Sequence, residues 1–226
     1  MTLTAGKSTA EKKGEVRIGA GPVILAGELL VPPEATGIVL FAHGSGSSRF
    51  SPRNQYVARV IRESGVGTLL FDLLTREEEA IDILTRRLRF DISLLARRLV
   101  DVTNWLAREP ETSRLRPGYF GSSTGGGAAL VAAAALGEKV GAVVSRGGRP
   151  DLAGDALPLV KAPTVLIVGG LDYQVIEMNQ EALAKLQCEK ELEIVPGATH
   201  LFEEPGTLAQ VAHLAAEWFK EYLPNG

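Results

Sequence analysis

Gly118-Tyr119-Phe120-Gly121-Ser122-Ser123-Thr124-Gly125-Gly126-Gly127 joins a short aromatic run to the alanine-rich stretch 128–136. The run before the glycines suits a buried strand end, and the alanines and leucines after them favour a helix. A serine carried on so sharp a strand-to-helix turn sits in strained backbone, and its neighbours must be nearly free of side chains. Gly121 and Gly125 meet that demand at the spacing G-x-S-x-G. Ser123, at the apex, is the candidate nucleophile, whereas the hydroxyl of Ser122 lies off it. Glycine-serine runs are also ordinary loops, so the weight of the pattern comes from strand, turn and helix arriving in that order.

The same alternation runs along the chain. Apolar, β-branched runs at 16–18, 23–31, 37–42, 68–74, 140–145, 164–168 and 192–195 predict strands. Between them, helical spacing predicts helices at 92–108, 175–186 and 208–222. A further helix opens at Ser51-Pro52, a capping side chain followed by a proline suited to the first turn, and closes near Ser64 before Gly65-Val66-Gly67. Strands alternating with helices predict an α/β fold: a mostly parallel twisted sheet with helices on both faces. A chain of 226 residues with 45% hydrophobic content supports a substantial core. No linker or repeat divides it, so residues 15–226 are expected to form one domain behind a polar leader at 1–14.

Composition narrows the function. A net charge of -3, without clustered lysines and arginines among aromatics, argues against a nucleic-acid partner. The single cysteine, Cys188, has no disulfide partner in the chain and no neighbours for a C-x-x-C metal site, so no metal or cofactor is expected. No signal-like or bilayer-length apolar stretch is present, which predicts a cytoplasmic protein without a membrane partner. Gly6-Lys7-Ser8-Thr9 imitates the end of a P-loop but lacks its first glycine and a preceding strand.

A serine hydroxyl needs a base within hydrogen-bond reach and a third group to orient that base. Of the three histidines, His213 falls within a predicted amphipathic helix, and His43 sits between a buried strand and a glycine loop, better placed to brace the loop. His200, in Pro196-Gly197-Ala198-Thr199-His200, leaves a strand end and is the expected general base. Asp172, in Val168-Gly169-Gly170-Leu171-Asp172, also follows a strand end, and either orients His200 or caps the next helix. The developing oxyanion needs fixed donors, each worth roughly 3–4 kcal/mol of barrier. The backbone N–H groups of Thr124, next to the serine, and of Ser45, in His43-Gly44-Ser45-Gly46, are the expected pair.

Taken together, His43-Gly44-Ser45-Gly46, Gly121-Ser122-Ser123-Thr124-Gly125, Gly169-Gly170-Leu171-Asp172 and Gly197-Ala198-Thr199-His200 resemble the α/β-hydrolase superfamily, in particular its small dienelactone-hydrolase-like branch. The resemblance spans residues 16–223. It implies a single-domain fold without a large lid and a triad of Ser123, Asp172 and His200. Dienelactone hydrolases carry cysteine at the elbow; serine here shifts the implied activity toward a general esterase acting on small carboxylic esters, lactones among them.

Arg146 and Arg149 follow a strand end and are candidates for holding a substrate carboxylate, against a structural pairing of Arg149 with Asp151 or Asp155. Arg49 and Arg53, near the glycine loop, are open to the same two readings. The charged segment 76–89 is expected to form a solvated helix face with Asp82 pairing Arg86, and its place after the strand ending at Leu74 leaves open that it rims the pocket. Two other activities remain open on the same residues: acyl transfer or peracid formation, and a hydrolase-like binding protein without turnover.

Overall fold

The computed structural model describes residues 12–223. Its centre is an eight-stranded sheet in the order β1-β2-β4-β3-β5-β6-β7-β8, where β1 is Lys12–Ala20, β2 Val23–Val31, β3 Gly37–Ala42, β4 Gly67–Phe71, β5 Arg116–Ser122, β6 Ala142–Arg146, β7 Thr164–Gly169 and β8 Lys190–Val195. β1 pairs β2, and β2 pairs β4, antiparallel; every other pairing is parallel. Because β1 starts at Lys12, the last three residues of the expected leader already belong to the sheet. The rest of the leader, with Gly6-Lys7-Ser8-Thr9, lies outside the described residues.

Every residue of β3, β4, β6 and β7 is buried, as expected for parallel strands covered on both faces. One face packs on α3 (Ile92–Leu106) and α4 (Thr124–Leu136), with Tyr119, Leu40 and Val143 pointing into that layer. The other packs on α1 (Pro52–Glu63) and α6 (Thr207–Tyr222), which close over Phe41, Phe120 and Val144. Fully burying side chains such as Phe120 and Phe219 contributes about 1.5–3 kcal/mol each. β8 forms the outer edge, and Lys190, Glu191 and Glu193 keep it charged. Among the described residues no helix is long and apolar enough to cross a membrane.

The segment after β4 has the expected solvated face, with Arg76, Glu77 and Glu79 exposed, but departs from the expected ion pair. α2 (Arg76–Thr85) starts with a capping box: Thr75 accepts from the Glu78 N–H, and the Glu78 carboxylate accepts from the Thr75 N–H. It ends at Arg86, which adopts a left-handed φ of 54°; its N–H donates to the Asp82 carbonyl at 2.7 Å, but among the described residues its side chain forms no ion pair with Asp82. Asp82 turns inward at 2% exposure, where its carboxylate accepts from the Leu88 and Arg89 N–H groups and from Nε of Arg89. The outward positions also carry the apolar Ile81, Ile83 and Leu84. The helix expected at 175–186 is α5 (Tyr173–Lys185).

Candidate active site

The carboxyl ends of β3, β5, β6, β7 and β8 converge on one edge of the sheet, and the candidate residues lie in the loops leaving it. At the end of β5 the backbone turns into α4 at Ser123, whose φ of 50° and ψ of -123° lie where a non-glycine residue is rarely found. The turn closes only because its flanks are bare. A Cβ on Gly121 would come within 2.6 Å of the Gly125 carbonyl oxygen, and one on Gly125 would collide with the Ala42 and His43 carbonyls of β3 and its loop. The two glycines thus let the first turn of α4 press against the sheet with Ser123 raised on the crest.

The loop after β3 flanks the serine on one side, with Gly44 close enough that a Cβ there would sit 3.1 Å from the Ser123 Cβ. His43 braces this loop, as its position suggests. Its Nε2 accepts from the Leu73 N–H at 3.1 Å, so Nδ1 carries the proton and donates to the Gly44 carbonyl at 3.1 Å. Burial lowers its pKa below 6.5, against smaller opposing effects of Gly44, Asp72 and Glu79, so this imidazole is neutral. Ser45 and Thr124 line the same cavity, together with His43, Leu73, Leu74 and Arg89. Among the described residues the backbone N–H groups of Ser45 and Thr124 donate to no protein acceptor.

On the other side runs the loop after β6. The Ser123 N–H donates to the Arg146 carbonyl at 3.4 Å, and the Arg149 N–H donates to the Ser123 carbonyl at 3.0 Å. His200 leans on the same loop, since a Cβ at Gly147 would meet its Cε1 at 3.6 Å. Nδ1 of His200 lies 2.6 Å from Oδ2 of Asp172. Asp172 occupies the N-cap position of α5, yet its side chain makes no capping bond; the carboxylate is committed to the imidazole. That partner fixes the proton on Nδ1 and leaves Nε2 with a free lone pair. No hydrogen bond joins the Ser123 hydroxyl to the imidazole among the described residues, although the Ser123 backbone and the His200 ring both rest on the loop at 146–149. His213 is exposed on α6.

The arginines divide between the two readings the sequence left open. Arg149 is held by Asp151 through two bonds, Nε to Oδ1 at 2.8 Å and Nη2 to Oδ2 at 2.7 Å, so its fork is occupied by a neighbour rather than open to a substrate. Arg49 is likewise paired, with Asp72. Arg146 is 8% exposed, and its Nε and Nη1 have no partner. Burial, and secondarily the charge of Arg53, pulls its pKa down to about 10.

Sequence reasoning missed one support, Asn179, and left a second, the segment 76–89 at the pocket rim, open with the wrong partner for Asp82. Asn179, fully buried on α5, donates to the Gly148 carbonyl at 3.1 Å and so holds the loop beneath His200. The ion pair of Asp82 and Arg89 walls the cavity beside Ser45. Neither carries a motif; only the helical phase that turns Asp82 and Asn179 inward could have signalled them.

Comparison with known proteins places this geometry. The profile of the dienelactone hydrolase family matches residues 25–223. A crystal structure of a dienelactone hydrolase from Anabaena variabilis is 64% identical, covers 94% of this chain and 99% of its own, and superposes with a TM-score of 0.93. The esterase domain of a Rhodothermus marinus protein shares the fold at 19% identity, with coverage of 94% and 100% and a TM-score of 0.73. A Mycobacterium tuberculosis protein provisionally named a phosphoribosyl transferase is 62% identical over 209 residues, which are 92% of this chain and 46% of that protein. The chain therefore spans about half the length of that curated relative.

Proposed function

The chain belongs to the dienelactone hydrolase family, and from that membership we propose that it is a metal-independent serine hydrolase of small carboxylic esters, lactones included. The observation that carries the reading is the commitment of Asp172 to Nδ1 of His200, beside a serine held at positive φ. In this reading Nε2 of His200 removes the Ser123 proton as Oγ attacks the ester carbonyl. Asp172 stabilises the imidazolium that forms. The N–H groups of Ser45 and Thr124 receive the oxyanion. Collapse of the tetrahedral intermediate expels the alcohol, which takes the proton from His200. Water activated by the same imidazole then releases the acid from Ser123. The small cavity bounded by Leu73 and Leu74 favours short acyl groups over long lipid chains.

Phosphoribosyl transfer, the activity in the name of the mycobacterial relative, is read as belonging to the half of that protein which this chain does not cover. The matched 92% of this chain spans its own elbow and His–Asp pair. A fluorophosphonate probe tests the assignment: it should label the wild-type chain and leave Ser123→Ala unmodified, with hydrolysis of p-nitrophenyl acetate lost in parallel. Folded wild-type protein that neither labels nor turns over would make the chain a binding protein on a hydrolase fold.

A further inference from the structure

A surface helix ordinarily turns its apolar stripe toward the core and its charges toward water. α2 does the reverse. Asp82 is its one buried residue, and Glu78, one turn earlier on the same side, pairs its Oε1 with Nη2 of the buried Arg98 at 2.6 Å. The helix is thus attached through two carboxylates, Glu78 to Arg98 and Asp82 to Arg89. The opposite side carries Ala80, Ile81, Ile83 and Leu84, with Leu84 86% exposed, Ile83 65% and Ile81 57%. Spacings of three and four residues make these side chains neighbours, so they form a patch rather than scattered apolar points. Past the helix end, Ile81 and Leu88 line a groove of about 350 Å³ with Thr85, Arg87 and Asp91, and Phe90 is exposed as well.

The charges that flank this patch select what covers it. The first turn exposes Glu77 and Glu79 beside the single base Arg76, which leaves it net acidic. Arg86 and Arg87, after the last turn, are exposed and among the described residues enter no ion pair. A second copy of α2, laid antiparallel across a two-fold axis level with Asp82, brings the acidic end of each helix to the basic end of the other and sets the two helix dipoles in opposition. The same axis places Leu84 of one copy over Ala80 of the other, a large side chain against a small one, and Ile81 against Ile83. An anionic lipid surface would instead meet the repulsion of Glu77 and Glu79. Residues 1–11 offer only Met1 and Leu3 as large apolar side chains, too few to cover the patch.

We propose that the outward face of α2 is an isologous docking surface for a second copy of this chain, seated helix against antiparallel helix with Leu84 near its centre. A helix of this length is about 15 Å long and about 10 Å across. With the groove beside it, each copy buries roughly a few hundred Å², the low end of specific interfaces, so the dimer forms in a concentration-dependent way. The inner side of the same segment walls the candidate site, where Glu79, Asp82 and Arg89 line the cavity with Ser45. Association therefore backs that wall without entering the cavity.

Sedimentation velocity of the full chain across about 1–100 μM tests it. The wild-type mass should rise from one chain to two. Leu84→Glu, with circular dichroism matching wild type, should weaken association about tenfold or more. Leu159→Glu, at a leucine 61% exposed outside α2, should leave it unchanged. Glu77→Arg and Arg87→Glu each set like charges together twice across the axis and should weaken association about threefold or more, whereas the E77R/R87E double variant restores opposite signs and should return to within about twofold of wild type. Wild type that stays monomeric, association that survives Leu84→Glu, an equal loss in Leu159→Glu, or a double variant no better than its single parents overturns the proposal. Monomeric wild type that floats with vesicles of phosphatidylcholine and phosphatidylglycerol, and ceases to do so as Leu84→Glu, overturns it in favour of a lipid surface.

Discussion

Replacing Asp172 with asparagine isolates the contribution of the carboxylate that faces His200. The substitution keeps the shape of the side chain and removes one charge. It also removes no helix cap, because the Asp172 side chain does not bond the first turn of α5. What it takes away is the acceptor 2.6 Å from Nδ1 and the charge that balances an imidazolium. Two unit charges centred about 4 Å apart, at an effective dielectric of about 20, attract by about 4 kcal/mol, roughly a 10³-fold effect on rate. The His200 side chain is 40% exposed, and solvent screening reduces that figure. An asparagine that presents its N–H to Nδ1 would also favour the wrong tautomer, which acts in the opposite sense to the screening. The expected fall in kcat on p-nitrophenyl acetate is therefore about 10³-fold, with the melting temperature within about 2 °C of wild type, since less than about 0.5 kcal/mol of stability is at stake in a domain of this size. A variant with kcat within threefold of wild type would refute the reasoning, because a carboxylate so placed would then have no bearing on the base.

Two other perturbations address the frame around the site. Gly125→Ala forces a Cβ into the Ala42 carbonyl, backbone that cannot yield, whereas Gly19→Ala meets nothing within 4 Å. The first should cost about 1–3 kcal/mol or more by chemical denaturation and, by shifting the Thr124 N–H, about a hundredfold in kcat/KM, while the second stays within about 0.5 kcal/mol of wild type. His43 gives a pH signature. Its pKa in the folded chain lies below 6.5, so between those two values the unfolded chain binds more protons than the folded one. Its contribution to stability is complete above about pH 6.5 and declines as pH falls toward the lowered pKa. The slope of melting temperature between pH 6.5 and 5 should flatten in His43→Gln; an unaltered slope would show that protonation of this ring is not linked to unfolding.

The parts of the fold that were legible in sequence are those whose signal is local. Parallel strands buried on both faces read as unbroken apolar runs, and the elbow is written in the two glycines that a close backbone approach requires, so β3, β5, β6 and β7 and the turn at Ser123 follow from neighbouring residues alone. The pairing of Asp172 with His200 was legible more weakly, as an order of residues after strand ends. A capping aspartate has the same local sequence, and only the direction of its side chain separates the two.

Charge is where local reading fails, and the failure has one physical cause. The strength of an ion pair depends on desolvation and distance, and both are set by the tertiary neighbours of a residue rather than by its spacing along a helix. Asp82 and Arg86 have the i, i+4 spacing of a surface pair, but the helix ends at the left-handed Arg86. Asp82 turns inward instead, because Arg89 and two N–H groups beyond the helix end solvate it better than a single surface arginine could. The same logic separates the two arginines of Ser145-Arg146-Gly147-Gly148-Arg149. Arg149 has an aspartate two residues away and is neutralised locally. Arg146 is buried against the Phe202 ring, and its Nε and Nη1 meet no acceptor among the described residues. A sequence shows which residues are charged; the fold decides which of those charges is left without a counter-ion.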